Sequence, residues 1–246
     1  MGEDIIEGII VFDSSGISIY EKLRGHTIAA TSLIAALLGL ATEMHLGEAR
    51  TMDFRNAHVY IISGIKNPSL KIAMFSEKPD ARHAIEAAYL INKIDKVARI
   101  KSGFIDSRTK DKIVSVVDKY YSLLKSLEVS DFINEAFLDS LKEFGMGSFS
   151  VIMINVLKLI NFSVTEFLIN QPIETRNKMC SIFGEFGTKQ LLRKMIQKIE
   201  EKYNIKIPEK MVNKLLKCND EILCKEIIRD LIEIIIDSII ERVKMA

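Results

Sequence analysis

The chain contains no tryptophan, only three cysteines and four histidines, and no excess of charge of either sign: Lys+Arg at 34 nearly cancels Asp+Glu at 33. Without a net positive balance there is no bulk electrostatic reason to expect nucleic acid or an acidic surface as partner. The cysteines, Cys180, Cys218 and Cys224, are odd in number in a chain without a signal-peptide pattern. That argues against a disulfide framework and for a reducing interior, so a cytoplasmic protein is expected. The histidines, His26, His45, His58 and His83, form no His-x-x-x-His pair, and the cysteines no Cys-x-x-Cys pair, so no metal site and no cofactor is expected. The missing tryptophan, set beside abundant isoleucine and lysine, carries no functional information.

A long uninterrupted hydrophobic run is also lacking. The most apolar window of the second half, Phe149 to Ile169, is broken by Asn155, Lys158, Asn161 and Glu166. A lysine at the centre of a membrane helix costs about 2.5–3.5 kcal/mol on insertion, so this window predicts a buried helix and not a transmembrane segment. With 246 residues, 48% of them hydrophobic, the chain can bury the core of one large or two modest domains.

What is present is an ordered series of strand and helix patterns. Ile5 to Asp13 is β-branched and apolar, Ser14-Ser15-Gly16 supplies a turn, and Ile17 to Tyr20 alternates again, which reads as a hairpin. Thr27 to Met44 is rich in Ala and Leu and reads as a helix stopped by Gly47. Three strand-like runs follow, Thr51 to Phe54, His58 to Ile62 and Leu70 to Phe75, the last two separated by Gly64 and a Lys66-Asn67-Pro68 turn. Pro79-Asp80 opens a helix with apolar Ala81, Ala84, Ile85, Ala88 and Ile91. Ser107 caps another with Ile113, Val116, Val117, Tyr120 and Leu124. The predicted architecture is a five-stranded antiparallel sheet with one helix on one face and two on the other, over residues 1–127.

This half resembles the longin and roadblock group of profilin-like α/β domains. The resemblance rests on the order of elements, the Phe-Asp-Ser-Ser-Gly hairpin opening at Phe12 to Gly16, the Ala/Leu-rich first helix ending in Glu43-Met44, the Gly47-Glu48-Ala49-Arg50-Thr51-Met52-Asp53-Phe54 approach to the third strand, and the two closing helices. Two closing helices favour the longin type, since roadblock-type domains usually have fewer. The resemblance implies a binding module: a subunit of trafficking adaptors or tethers, or a regulator of small GTPases, and not an enzyme.

From residue 128 to 246 strand signals vanish. Helical periodicity runs through segments punctuated by Gly145-Met146-Gly147, Pro172, Gly184 and Gly187, Asn204 to Pro208, and Asn219-Asp220. An all-α domain is predicted, making the whole chain α+β. Its last helix, capped by Asp220, places Leu223, Ile227, Leu231, Ile234, Ile235 and Ile239 on the core face and Arg229 among its solvated residues.

Candidate chemistry is sparse. Gly145-Met146-Gly147-Ser148 is weak as a phosphate cradle because no Gly-Lys-Ser/Thr and no preceding strand accompany it, so an interhelical turn is expected. Asp13-Ser14-Ser15-Gly16 is explained by turn chemistry. Lys189, Arg193, Lys194 and Lys198 form a basic stripe at helical spacing, but Glu200 and Glu201 follow and no aromatics interleave, so a solvated face is expected. Cys218 and Cys224 read as buried hydrophobes.

The first helix is the exception to ordinary patterning. No charge occurs from Thr27 until Glu43, and apolar or small residues run all the way round it. Such a helix is normally covered on nearly all sides. Ala29, Ser32, Ala36 and Leu40 are therefore the candidate interaction surface, to be buried beneath the C-terminal helices or against a second copy of the chain. The expected function is a non-enzymatic adaptor or regulatory subunit that binds a protein partner or itself, with small GTPases among the partners the resemblance implies. The alternative is a ligand-sensing regulator whose helical domain encloses an apolar small molecule.

Overall fold

The computed structural model describes residues 7–24, 30–44, 50–55, 57–98, 105–127, 129–143 and 164–245. The chain divides into two compact units, Met1–Ser126 and Leu127–Ala246.

The first unit is built on strands β1 (Glu7–Asp13), β2 (Ser18–Arg24), β3 (Thr51–Phe54), β4 (Ala57–Ser63) and β5 (Leu70–Ser76), with helices α1 (Ala30–Glu43), α2 (Arg82–Val97) and α3 (Ser107–Leu127). The sheet order is β2-β1-β5-β4-β3 and every pairing is antiparallel. Ile10 stands opposite Ala73, and Tyr60 opposite Met74. Side chains alternate across a strand, so one face carries Ile10, Phe12, Val59, Ile61, Ala73 and Phe75, all packed with Ile34 and Leu38 of α1. The other carries Ile9, Val11, Tyr60, Ile62, Ile72 and Met74, equally buried, and α2 packs there on β4 and β5. Tyr20, opposite Val11 and thus on the second face, donates its hydroxyl to Asp118 of α3 at 2.7 Å. One helix therefore covers one face and two the other, as the periodicity predicts.

The turns are fixed by side chains that replace missing backbone partners. At the first hairpin, Asp13 Oδ1 accepts from the amides of Ser15 at 2.9 Å and Ile17 at 3.0 Å. Gly16 has φ 85°, and a Cβ there would lie 2.9 Å from the Ala35 Cβ of α1, so only glycine turns the chain this close to the helix. Strand β2 runs four residues beyond the predicted Tyr20, to Arg24; it is the sheet edge, and Glu21, Lys22 and Arg24 are exposed along it, as edge strands tolerate.

The β4–β5 turn is held from the helix that crosses beneath it. Asp95, buried on α2, accepts from the amides of Ile65 at 2.7 Å, Lys66 at 3.2 Å and Asn67 at 3.2 Å, and from Asn67 Nδ2 at 2.9 Å. A Cβ at Gly64 would meet the Asn67 carbonyl oxygen at 2.5 Å and Asp95 Oδ1 at 2.8 Å.

In the second unit every described element is helical: α4 (Phe132–Lys142), α5 (Val164–Asn170), α6 (Pro172–Tyr203), α7 (Glu209–Lys217) and α8 (Glu221–Met245). Asp131 caps α4 through the Asn134 amide at 3.2 Å, Pro172 opens α6, and Asn204 closes it in the left-handed region at φ 42°. Inside α6 the helix breaks at Gly184, φ 69°. Asp220 caps α8 through the Leu223 amide at 2.7 Å, as predicted. The buried face of α8 is wider than the predicted stripe: Ile227, Leu231 and Ile235 are buried as predicted, Ile228, Ile232, Ile236 and Arg229 are buried as well, and Leu223 is 45% exposed. The helix that the window Phe149 to Ile169 predicts lies largely outside the described residues, of which Val164–Asn170 forms α5. Among the described residues no helix is long and apolar enough to cross a membrane.

Replacing Asp95 with Ala removes the acceptor of the buried Asn67 amide and of the part-buried Ile65 and Lys66 amides, each costing about 1–3 kcal/mol. Asp95→Ala is expected to lower the free energy of urea unfolding by on the order of 3 kcal/mol, and Asp95→Asn by a smaller amount because one carbonyl oxygen survives. Unchanged unfolding midpoints would show that the turn holds without the carboxylate.

Candidate functional site

The outward face of α1 is the first site. Only Thr31, Ile34 and Leu38 are fully buried among its described side chains, because a single helix on a twisted sheet can press one stripe into it. Within this unit Ser32, Ala36 and Gly39 are exposed, and Leu33 at 51%, Leu40 at 51% and Met44 at 58% are open to solvent. Of the four residues expected there, Ser32, Ala36 and Leu40 lie together on one side. Ala29 falls outside the described residues. The stripe Leu33, Leu40 and Met44 faces away from the sheet, and Ile34 and Leu38 form the stripe that meets it. A Cβ at Gly39 would touch nothing within 4 Å, so the small residues Ser32, Ala36 and Gly39 leave a shallow, uncharged track between the larger ones.

Helix α2 is covered within the first unit. His83, Glu86, Asn92 and Asp95, which give it an amphipathic sequence, are buried along with its apolar residues. His83 Nε2 stands 4.0 Å from Glu86 Oε2, and Lys125 Nζ of α3 lies 3.5 Å from the same oxygen. Burial pushes the Glu86 carboxyl up against the opposing pull of Lys125. Burial, helped by the Lys125 charge, pushes His83 down to about 4. His83 is thus a neutral imidazole at neutral pH, and its Nδ1 has no hydrogen-bond partner among the described residues. His58, also buried, bonds through Nδ1 to Asp53 Oδ1 at 2.7 Å. Among the described residues no group of three His, Cys, Asp or Glu side chains is placed to hold a metal ion.

The second unit carries a partly open apolar pocket of about 80 Å³. Phe132 of α4, Met179, Met195 and Ile199 of α6, and Ile228 and Ile232 of α8 line it, together with other apolar side chains. Arg176 is the one charged residue among the described lining. Its guanidinium is drawn toward the turn before α8, donating to the Cys218 carbonyl oxygen and, at 2.9 Å, to Oδ1 of the exposed Asn219.

The cysteines correct the sequence expectation. Cys218 and Cys224 are buried, as expected of small hydrophobes, but their Cα atoms are 5.9 Å apart and their sulfurs are joined in a disulfide across the turn into α8. Cys180 is free. The basic stripe on α6 is a paired surface: Lys189 meets Glu185 at 2.6 Å, Lys198 meets Glu143 at 2.7 Å, Lys194 also reaches Glu143, and Arg193 donates to Asn213 at 3.1 Å. Gly145 to Ser148 lie outside the described residues.

No protein-family model, curated protein or solved structure matches this chain.

The buried imidazole gives this region a signed pH dependence. The folded pKa of about 4 lies below the ordinary 6.5, so between those values the unfolded chain binds the extra proton. Stability tied to His83 is therefore complete above about pH 6.5 and is lost as pH falls toward 4. Glu86 acts with the opposite sign, its raised carboxyl favouring the folded state on the acid side. His83→Gln removes the first effect: urea unfolding at pH 7 and pH 4.5 is expected to show the wild type losing about 2–3 kcal/mol more than the variant. Equal losses would place His83 in water.

Proposed function

We propose that the chain is a non-enzymatic protein-interaction module, an adaptor or regulatory subunit of the longin type that works with small GTPases or trafficking-like complexes in the cytoplasm. The observation that carries this reading is the α1 face, where Leu33, Leu40 and Met44 are exposed beside Ser32 and Ala36 on a helix with no charge before Glu43. Scattered exposed apolar residues are ordinary, whereas a row of them along one uncharged helix face marks an interaction site. Supporting it are the order of elements, two closing helices included, and the sheet that the helices cover on both sides.

The partner that fits this face best is a second copy. An isologous contact sets each residue against its own kind or a neighbour on the same patch, and a patch with no charge before Glu43 at its C-terminal end meets its copy with little like-charge repulsion and few ions to desolvate. Small residues at positions 32, 36 and 39 let two helices approach closely. Ala36→Arg tests it in the full chain. Because Ala36 is exposed, the variant is expected to keep the thermal midpoint of the isolated monomer, with a stability change within about 0.5 kcal/mol. In sedimentation equilibrium the native chain is expected to dimerise and the variant to remain monomeric. A native chain that is monomeric at every concentration, or a variant that dimerises equally well, overturns the self-association.

A second reading is favoured by the cavity of the helical unit: a ligand-sensing regulator that encloses an apolar small molecule between α4, α6 and α8.

A further inference from the structure

We infer that the helical unit binds one uncharged, ring-sized apolar molecule that carries no hydrogen-bonding group, held between α6 and α8. This rests on the ligand-sensing reading and sets the class of its ligand, which neither the sequence nor that reading defines.

Size comes first. The cavity measures about 80 Å³, and one water-sized centre needs roughly 10–15 Å³ by the same measure. It therefore has room for about five to eight such centres. At about 80 Å³ in a pocket open on one side, the space suits a single aromatic ring with its substituent toward the opening. Cofactor and drug-sized ligands occupy sites of about 300–1,000 Å³. A long acyl chain or a nucleotide is outside this range.

Polarity is settled by the walls. Met179 and Met195 present thioethers and Ile228 and Ile232 present methyl groups, none of which accepts or donates a useful hydrogen bond. The sulfur of Cys224, also on the wall, is joined to Cys218. The Arg176 guanidinium is bonded away from the wall to the Cys218 carbonyl and the exposed Asn219. A carboxylate entering this space would be desolvated without a partner, and a hydroxyl would lose its bonds to water. Methionine side chains adapt their shape and contact aromatic edges favourably, which adds a preference for a ring over a compact alkane.

The test uses the full chain with its methionines carrying ¹³C methyl groups, the two wall signals assigned by Met179→Leu and Met195→Leu. Toluene, phenol and sodium laurate are titrated separately while the methyl spectrum and the thermal midpoint are followed. Toluene is expected to shift the Met179 and Met195 methyls, to leave Met74 of the sheet unmoved, and to raise the midpoint; phenol is expected to bind at least tenfold more weakly. Phenol binding as tightly as toluene, or laurate moving the two methyls where toluene does not, overturns the inferred class while an enclosed apolar ligand still stands. If none of the three moves those methyls, the cavity is closed to ligands, and the inference and the ligand-sensing reading fall together.

Discussion

The inner strands of the sheet have no side to offer water. Ile9, Ile10, Val11 and Phe12 of β1 are each completely buried, and Ile72, Ala73 and Met74 of β5 nearly so. A strand apolar on both faces cannot stand as a half-exposed antiparallel layer; it needs cover above and below. Everything else in the first unit answers that need. Helix α1 is threaded between β2 and β3 to close one face, and α2 with α3 closes the other. The division of labour is unequal. One helix alone presses a single stripe, Ile34 and Leu38, into the sheet, and the rest of its circumference is left over.

Much of this was legible because it depends on local pattern. Alternation marked the strands, and Asp13 to Gly16 and Gly64 to Pro68 marked the turns, since these residues are selected by the backbone conformation and not by distant contacts. What escaped was how fully α2 is enclosed. His83, Glu86, Asn92 and Asp95 are polar, yet each is buried, Asp95 on the β4–β5 turn and Glu86 beside Lys125. A buried carboxylate and an exposed one are the same letter in the sequence. The distinction lies in partners that fold in from elsewhere.

Helix α8 misled for the opposite reason. Isoleucine occurs at 227, 228, 232, 234, 235, 236, 239 and 240, so more than one face is apolar and the period does not choose among them. The packing buries two adjoining rows, Ile227, Leu231 and Ile235 together with Ile228, Ile232 and Ile236. The Cys218–Cys224 pair was hidden because a spacing of six fits neither one helix face nor a metal-ligand motif; the turn capped by Asp220 folds the two together. The alternative of a helical unit holding an apolar molecule named no residues, because the pocket is the space left where side chains from α4, α5, α6, α7 and α8 fail to interdigitate, a property of their joint packing and not of any one residue.

Of the proposed interaction surface, Ser32, Ala36 and Leu40 were placed together by helical spacing alone, and the fold adds why they stay outside. The contrast between α1 and α2 then has a physical logic. A helix fixed permanently in a core can keep polar groups, since each can be matched once and for all during folding, as Asp95 is by the 65–67 amides. A face that must be wet in one state and dry in another cannot, because every charge on it would have to be desolvated on each encounter without a prearranged partner. The helix with no charge before Glu43 therefore has little to desolvate along its outer face, and the helix carrying buried charge is the one suited to holding the scaffold still. In this chain the two kinds of residue are sorted onto opposite faces of one sheet.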